Sequence, residues 1–304
     1  MSDRYNRIMS FVCNQCPNRC NVDRTLRVGR CGMPDYPIVS RVALHPWEEP
    51  IVSGTRGSGT IFFAGCSMGC VFCQNYEISH QMRGVRYTID DLIAAIKDLE
   101  RQGAHNINFV NPTHYAHVVK EVLTRYQPSV PVVYNTGGYD SVETLRDLEG
   151  LVDIYLPDYK YMDEDIAMRY SKVKDYPHVA WNAIAEMVRQ QPTLTFDEEG
   201  LLQKGVIIRH LVLPSLAKRS AQLVQKLYTT YGEKVYYSIM SQYVPHGKAG
   251  DFPEIDRPLK PLEYKVVVSK MEEMGARQVF LQDCEAAKED YIPAFEGEIY
   301  GKEI

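Results

Sequence analysis

The chain has 304 residues, 45% of them apolar and 24% charged. Those values sit close to globular averages, so wholesale disorder is excluded and one large domain, or a domain with a small annex, is expected. A net charge of -5 argues against a broad electrostatic grip on nucleic acid, and no apolar run approaches membrane-span length. The opening residues, MSDRYNRIMSF, hold no apolar core of an export signal, so the cytoplasm is the expected location.

Residues 1–57 carry four cysteines, several Gly and Pro, and little periodicity. They read as an irregular metal-binding lobe, joined to the rest by the turn-forming stretch SGTRGSG. From Thr60 onward short apolar runs alternate with amphipathic helices. Strands are predicted over 60–64, 106–110, 130–135, 152–156, 205–213 and 235–240, with a short seventh run over 278–282. Between them fall helices over 89–99, 116–126, 179–190, 216–231 and 261–274, and one after Ser141. Thr88 reads as an N-cap with Asp91 at the capping-box position, although Glu or Gln is usual there. A hairpin turning on Glu199-Gly200 is expected within 193–205. Strands that alternate with helices build a parallel sheet. Six successive β/α units, with polar residues at the carboxyl end of one strand after another, point to an α/β fold: a partial (β/α)6 TIM-like barrel over 58–283. A C-terminal tail, 284–304, follows.

There are eight cysteines. In a chain expected in the cytoplasm, metal ligation or catalysis is a stronger reading than disulfides. Cys66, Cys70 and Cys73 form C-x3-C-x2-C directly after the first predicted strand of the barrel. A structural zinc site closes with four ligands, whereas a [4Fe–4S] cluster held by three thiolates keeps one iron open to a chelating ligand. Cys13, Cys16, Cys20 and Cys31 are four, and can close either a zinc site or a second cluster. Arg19 and Arg30 flank them and are placed to offset thiolate charge. Cys284 stands alone and reads as a structural thiol.

The stretch TIFFAGCSMGCVFCQN resembles the cluster loop of radical S-adenosylmethionine (SAM) enzymes, with Phe72 at the aromatic position. The chain as a whole is similar to a subgroup near pyruvate formate-lyase activating enzyme, on the landmarks WEEPIVSGTRGSGTIFFAGC, NINFVNPTHY, YLPDYKY and RHLVLP. The resemblance implies a [4Fe–4S] cluster on Cys66, Cys70 and Cys73, with SAM on the open iron. One electron then cleaves SAM to a 5′-deoxyadenosyl radical, which abstracts hydrogen. The expected donor of that electron is a flavodoxin or ferredoxin, and the expected substrate a protein or peptide, as for a glycyl-radical activase. Radical chemistry on a small molecule and a non-catalytic iron–sulfur electron carrier are the alternatives.

Cofactor-binding candidates sit at successive strand ends. Asn111 and Thr113 stand where related activating enzymes carry Gly-Gly-Glu, and can offer acceptors to the SAM amino group. Asn135 precedes Thr136-Gly137-Gly138, whose glycines permit close backbone approach; the related enzymes have Asp at its position. Asp158 and Lys160 match a D-x-K motif and share one side of their strand, with Lys160 suited to the SAM carboxylate. Arg209, in an apolar strand, needs an acidic partner, either Asp158 or a ligand. His210 reads as a hydrogen-bonded core histidine. Tyr243 stands where relatives place a histidine near SAM. Trp47-Glu48-Glu49-Pro50 reads as a contact between lobe and barrel.

Overall fold

The computed structural model describes residues 12–282 and the backbone of 298–299 and 302–303. Cys284 and nearly all of the tail lie outside the described residues.

The described residues open with a two-stranded antiparallel hairpin, β1 (Val12–Cys13) and β2 (Val22–Asp23). β3 (Ile38–His45) and α1 (Pro50–Ser53) lead to β4 (Ser58–Phe63), then α2 (Tyr76–Ser79), β5 (Val85–Arg86), α3 (Ile89–Arg101), β6 (Ile107–Val110), α4 (Ala116–Arg125), β7 (Val132–Thr136) and α5 (Val142–Asp147). β8 (Ile154–Pro157), α6 (Glu164–Ser171), α7 (Tyr176–Gln190), β9 (Thr195–Phe196), β10 (Leu202–Leu211), α8 (Ala217–Tyr231), β11 (Tyr236–Met240), α9 (Pro261–Glu273) and β12 (Val279–Leu281) follow, and β13 (Glu298–Ile299) and β14 (Lys302–Glu303) form a separate antiparallel pair. The large sheet runs β12-β11-β10-β8-β7-β6-β4-β3-β5. β4 through β12 pair in parallel along this path, while β3 and β5 add antiparallel strands at one edge. The path has two ends, so the barrel is partial, as expected.

The β/α order follows the predicted one, with differences at ends and in two places of substance. Irregular structure does not continue to residue 57. Ile38–His45 is an eight-residue strand antiparallel to β4. Its alternation is hidden because most of its residues are half-buried and Ser40 and Arg41 interrupt the apolar ones. The segment after β8 holds α6 in addition to α7; α6 is short and its apolar stripe narrow. The Thr88 cap forms in full, Asp91 N–H to Thr88 Oγ1 at 3.1 Å and Thr88 N–H to Asp91 Oδ2 at 2.8 Å. Ser141 precedes α5 as expected, but its hydroxyl makes no capping bond. β9 folds back on β10 around Glu199-Gly200, which is the predicted hairpin.

Alternation along the parallel strands sorts the barrel interior into layers. Val133, Ile154, Leu156 and Ile207 form an apolar layer toward the amino ends of the strands, with Val52 of α1 packed among them. Beside and beyond them lie the polar side chains Asn108, paired with Val133, Asn135, paired with Leu156, and the mutually paired Asp158, Arg209 and Ser238. The opposite faces of these strands pack against the helices, burying Phe109, Tyr134, Tyr155 and Ile208.

Candidate active site

At the carboxyl ends of the strands a cavity of about 610 Å³ opens over the polar layer. Cys70, Phe72, Cys73, Asn135, Asp158, Lys160 and Arg209 all line it, together with Glu48 and Glu49.

The cysteine loop is held from four directions. Gly69 and Val71 donate backbone N–H bonds to the carbonyls of Ser171 (3.1 Å) and Tyr170 (2.8 Å) at the end of α6. Lys248 donates to Val71 O at 2.7 Å, Gln74 Nε2 to Gln242 O at 3.0 Å, and Asn111 Nδ2 to Gly65 O at 2.6 Å. The sulfurs are also addressed: Met68 N–H lies 3.4 Å from Cys66 Sγ, Ser171 Oγ 3.0 Å from Cys70 Sγ, and Ser79 Oγ 3.3 Å from Cys73 Sγ. None of the seven described cysteines is in a disulfide.

Burial pushes all three thiols of this loop up, Cys73 to about 11, and Cys70 adds to the rise at Cys66 and Cys73. Three thiolates here would repel one another unless positive charge entered among them. Three soft thiolate donors on one loop, with N–H and O–H groups already aimed at the sulfurs, are a donor set that fits an iron–sulfur cluster.

Arg209 organises the floor. Asp158 and Arg209 are paired residues of neighbouring strands, so their side chains meet: Nε donates to Asp158 Oδ1 at 2.9 Å. Nη2 donates to Asn135 Oδ1 at 2.6 Å and Nη1 reaches Glu48 Oε2 at 3.4 Å. Glu48 Oε1 accepts from Asn108 and Asn135, both at 3.1 Å. Lys160 Nζ donates to Asp158 Oδ2 at 2.5 Å. Burial alone would lift the Asp158 carboxyl, but Arg209 and Lys160 hold it below the usual range. Burial disfavours the Lys160 ammonium, yet Asp158 and the nearby Cys70 raise it. At Glu48 and Glu49 burial prevails over Arg209 and raises both. Glu49 Oε2 is buried without a partner among the described residues.

The other candidates fall elsewhere. Asn111 holds the start of the cysteine loop and does not line the cavity. Thr113 is spent in a buried knot, donating to Asp140 Oδ1 at 2.7 Å and meeting Thr136 Oγ1 at 3.1 Å. Tyr243 also misses the cavity: its hydroxyl donates to Ile255 O at 2.8 Å while its ring braces Phe72, centroids 5.9 Å apart. Gly138 is required by the protein's own backbone, since at φ +82° a β-carbon would lie 2.2 Å from Asp158 O. His210 is a core histidine, its Nδ1 2.8 Å from Tyr159 O. Glu48 and Glu49 are more than a contact between lobe and barrel; their segment enters the barrel interior. Nothing in Trp47-Glu48-Glu49-Pro50 signals that burial, because adjacent acids followed by proline look like a solvated turn.

The four amino-terminal cysteines lie outside this cavity, and the guanidinium beside them belongs to neither of the expected pair. Arg19 extends to Glu143 on the surface and Arg30 to the carbonyl of Lys172. Arg24, 3% exposed, is the buried cation, with Nη1 3.9 Å from Cys13 Sγ.

Comparison with known proteins decides the family. The profile described as the radical SAM superfamily matches residues 60–196. An uncharacterized protein of Methanocaldococcus jannaschii is 32% identical over 256 residues, which span 81% of this chain and 70% of the relative. The chain belongs to the radical SAM superfamily. Its members are enzymes of radical chemistry, and membership implies a [4Fe–4S] cluster and SAM. Among solved structures it is similar to methylornithine synthase, with TM-score 0.49 and 15% identity, covering 79% of this chain and 65% of that one. It is also similar to Streptococcus suis SuiB bound to S-adenosylmethionine (TM-score 0.47, 12% identity, 73% and 49% covered) and to the FeFe-hydrogenase maturase HydG of Carboxydothermus hydrogenoformans (0.49, 11%, 75% and 54%). The chain spans less than two thirds of each of these solved chains. Within the radical SAM match fall the cysteine loop, Asn135, Asp158 and Lys160; Arg209 and the Glu48-Glu49 pair lie outside it. No helix among the described residues is long and apolar enough to cross a membrane.

Proposed function

We propose that this protein is a radical SAM oxidoreductase that abstracts hydrogen from a protein or peptide, in the manner of a glycyl-radical activating enzyme. The observation that carries the radical chemistry is one cavity bounded by Cys70 and Cys73 on one side and by Lys160, Asp158 and Arg209 on another. When bound, the cluster and SAM supply a 5′-deoxyadenosyl radical. Lys160, steered by Asp158, is the cation for the SAM carboxylate. Asn135, bonded to Arg209 and Glu48, fixes the arginine beside Asp158, and Phe72, braced by Tyr243, walls the cavity against water. The open sheet supports the peptide reading, because a partial barrel leaves one side on which a chain segment can dock. The resemblance to activating enzymes over the cysteine loop adds to it.

A second reading is the same chemistry on a small molecule. It is favoured by the cavity volume, within the roughly 300–1,000 Å³ usual for small-molecule sites, and by the buried acids on its floor. The test is anaerobic incubation with SAM and dithionite, followed by quantification of 5′-deoxyadenosine. Extract from deuterium-labelled cells is then supplied as separate macromolecular and low-mass fractions. Deuterium reaching 5′-deoxyadenosine from the macromolecular fraction is the expected result. Transfer from the low-mass fraction alone selects the second reading. Absence of 5′-deoxyadenosine, with the cluster intact and reduced, overturns both.

A further inference from the structure

Cys13, Cys16, Cys20 and Cys31 lie outside the cavity, gathered in the amino-terminal lobe. Cys13, Cys16 and Cys31 are buried and Cys20 half-buried. Cys31 is within electrostatic reach of Cys13 and Cys20, and Cys16 of Cys13 and Cys31. N–H groups are aimed at three of the sulfurs: Arg24 at Cys13, Asn18 Nδ2 at Cys16 (3.6 Å), and the Arg30 backbone at Cys20 (3.4 Å). Such bonds are characteristic neighbours of metal-bound thiolates and tune their potential. At Gly29 a β-carbon would stand only 3.2 Å from Cys20 Sγ.

This set shares a wall with the cluster loop. The Asn18 amide that addresses Cys16 Sγ also donates to Ser67 O at 2.6 Å, one residue beyond Cys66. On the other flank of Cys66, a β-carbon on Gly65 would meet Cys31 O at 2.6 Å, so the two backbones touch. The lobe is also anchored without any metal. Arg24 Nε donates to Met33 O at 3.1 Å and its other nitrogens reach the carbonyls of His114 and Pro34, while Thr144 Oγ1 donates to Gln15 O at 2.7 Å. Zinc is redox-inert and would act here as a staple where staples already exist. An electron centre, by contrast, gains from contact with the loop of Cys66.

We propose that Cys13, Cys16, Cys20 and Cys31 hold a second [4Fe–4S] cluster that relays single electrons to the cluster on Cys66, Cys70 and Cys73. The relay half rests on the radical SAM reading above; the metal assignment does not. A low-potential one-electron carrier protein, flavodoxin or ferredoxin, reduces the second cluster from the 2+ to the 1+ state. That cluster returns to 2+ as the first goes from 2+ to 1+; no bond is made or broken and no proton moves.

The test compares the anaerobically purified wild type with a Cys66→Ala/Cys70→Ala/Cys73→Ala variant and a Cys20→Ser/Cys31→Ser variant. About eight irons and eight sulfides per wild-type chain, and about four of each in either variant, are expected. The triple-alanine variant should also give a reducible paramagnetic signal with no SAM-dependent change. Zinc, or no metal, in the triple-alanine variant with four irons in the wild type overturns the assignment, and should that variant not fold, the same count on the wild type decides alone. Asn18→Leu keeps all seven ligands. It should retain full iron while slowing reduction of the first cluster by reduced flavodoxin; an unchanged rate overturns the relay. Fully loaded wild type that makes no 5′-deoxyadenosine overturns the radical reading and leaves the second cluster standing.

Discussion

Arg209 serves three acceptors at once: Asp158, Asn135 and Glu48. Its side chain is 15% exposed, and those of Asp158 and Glu48 17% and 8%. A planar fork can address several oxygens in fixed directions; an ammonium group cannot do so from the same stem. Arg209→Lys therefore keeps the charge and loses the geometry. The expected cost is roughly 1.5–3 kcal/mol of stability, the usual worth of a hydrogen bond to a charged group. Anaerobic denaturant titration measures it, and a variant as stable as the wild type would show that the fork is dispensable. 5′-Deoxyadenosine formation should fall as well, because Asp158 loses the Nε bond that holds its carboxylate in place beside Lys160. Glu48→Gln tests the same network from below. It replaces one of two acceptor oxygens, which face only donors on Asn108, Asn135 and Arg209, by an NH2 group, so the destabilisation should exceed that of a surface Glu→Gln change. This network was half legible in the sequence. An arginine in an apolar strand demands an acid, and Asp158 was the acid in view. Glu48 was hidden, since its burial arises from a segment in which Glu48, Glu49, Val52 and Ser53 turn inward while Trp47 stays exposed, and this leaves no periodic trace.

Between β7 and β8 the turn Thr136-Gly137-Gly138 shows how a strand end is set. Gly138 has φ +82° and lies against the carbonyl of Asp158. Gly138→Ala must both enter the left-handed region and displace that backbone, at an expected cost of at least ~2 kcal/mol. Gly150 has a similar φ, +81°, but nothing within 4 Å of its β-carbon position. Gly150→Ala should cost only the conformational part, about 1 kcal/mol. Denaturation midpoints of the two variants separate strain from overlap; equal losses would mean that the Asp158 carbonyl moves aside freely. At this scale the β/α elements were readable because each carries a period, and the Thr88–Asp91 cap because capping is local chemistry. β3 and α6 were not. β3 shows no alternation of buried and exposed positions, most of its residues being half-buried, and α6 is defined by what it supports, the cysteine loop that rests on Tyr170 and Ser171.

Across the molecule, alternation divides each strand between an interior that is apolar at one end and polar toward the cavity, and an outer face buried under helices. Periodicity could place the strands but could not say whether the sheet closed; the pairing of β3 and β5 at the edge is a long-range fact. His210 lies on the outer face, 2% exposed, next to the inward Arg209. Its Nδ1 is bonded to Tyr159 O, and its Nε2 has no hydrogen-bond partner among the described residues. A second proton would add charge in a layer that offers it no acceptor. Burial accordingly lowers His210 from 6.5 to about 4. Between those values an unfolded chain binds a proton here that the folded chain refuses. Stability from this group is therefore complete above the unfolded value, falls as pH drops toward about 4, and flattens below. The slope is at most about 1.4 kcal/mol per pH unit. His210→Asn retains an N–H for the Tyr159 carbonyl and removes the titration. Urea midpoints of the two proteins, compared at several pH values across that window, should show a shallower acid-side decline in the variant and parallel behaviour above it. Parallel lines throughout would mean that His210 takes up its proton in the folded state as readily as in the unfolded one.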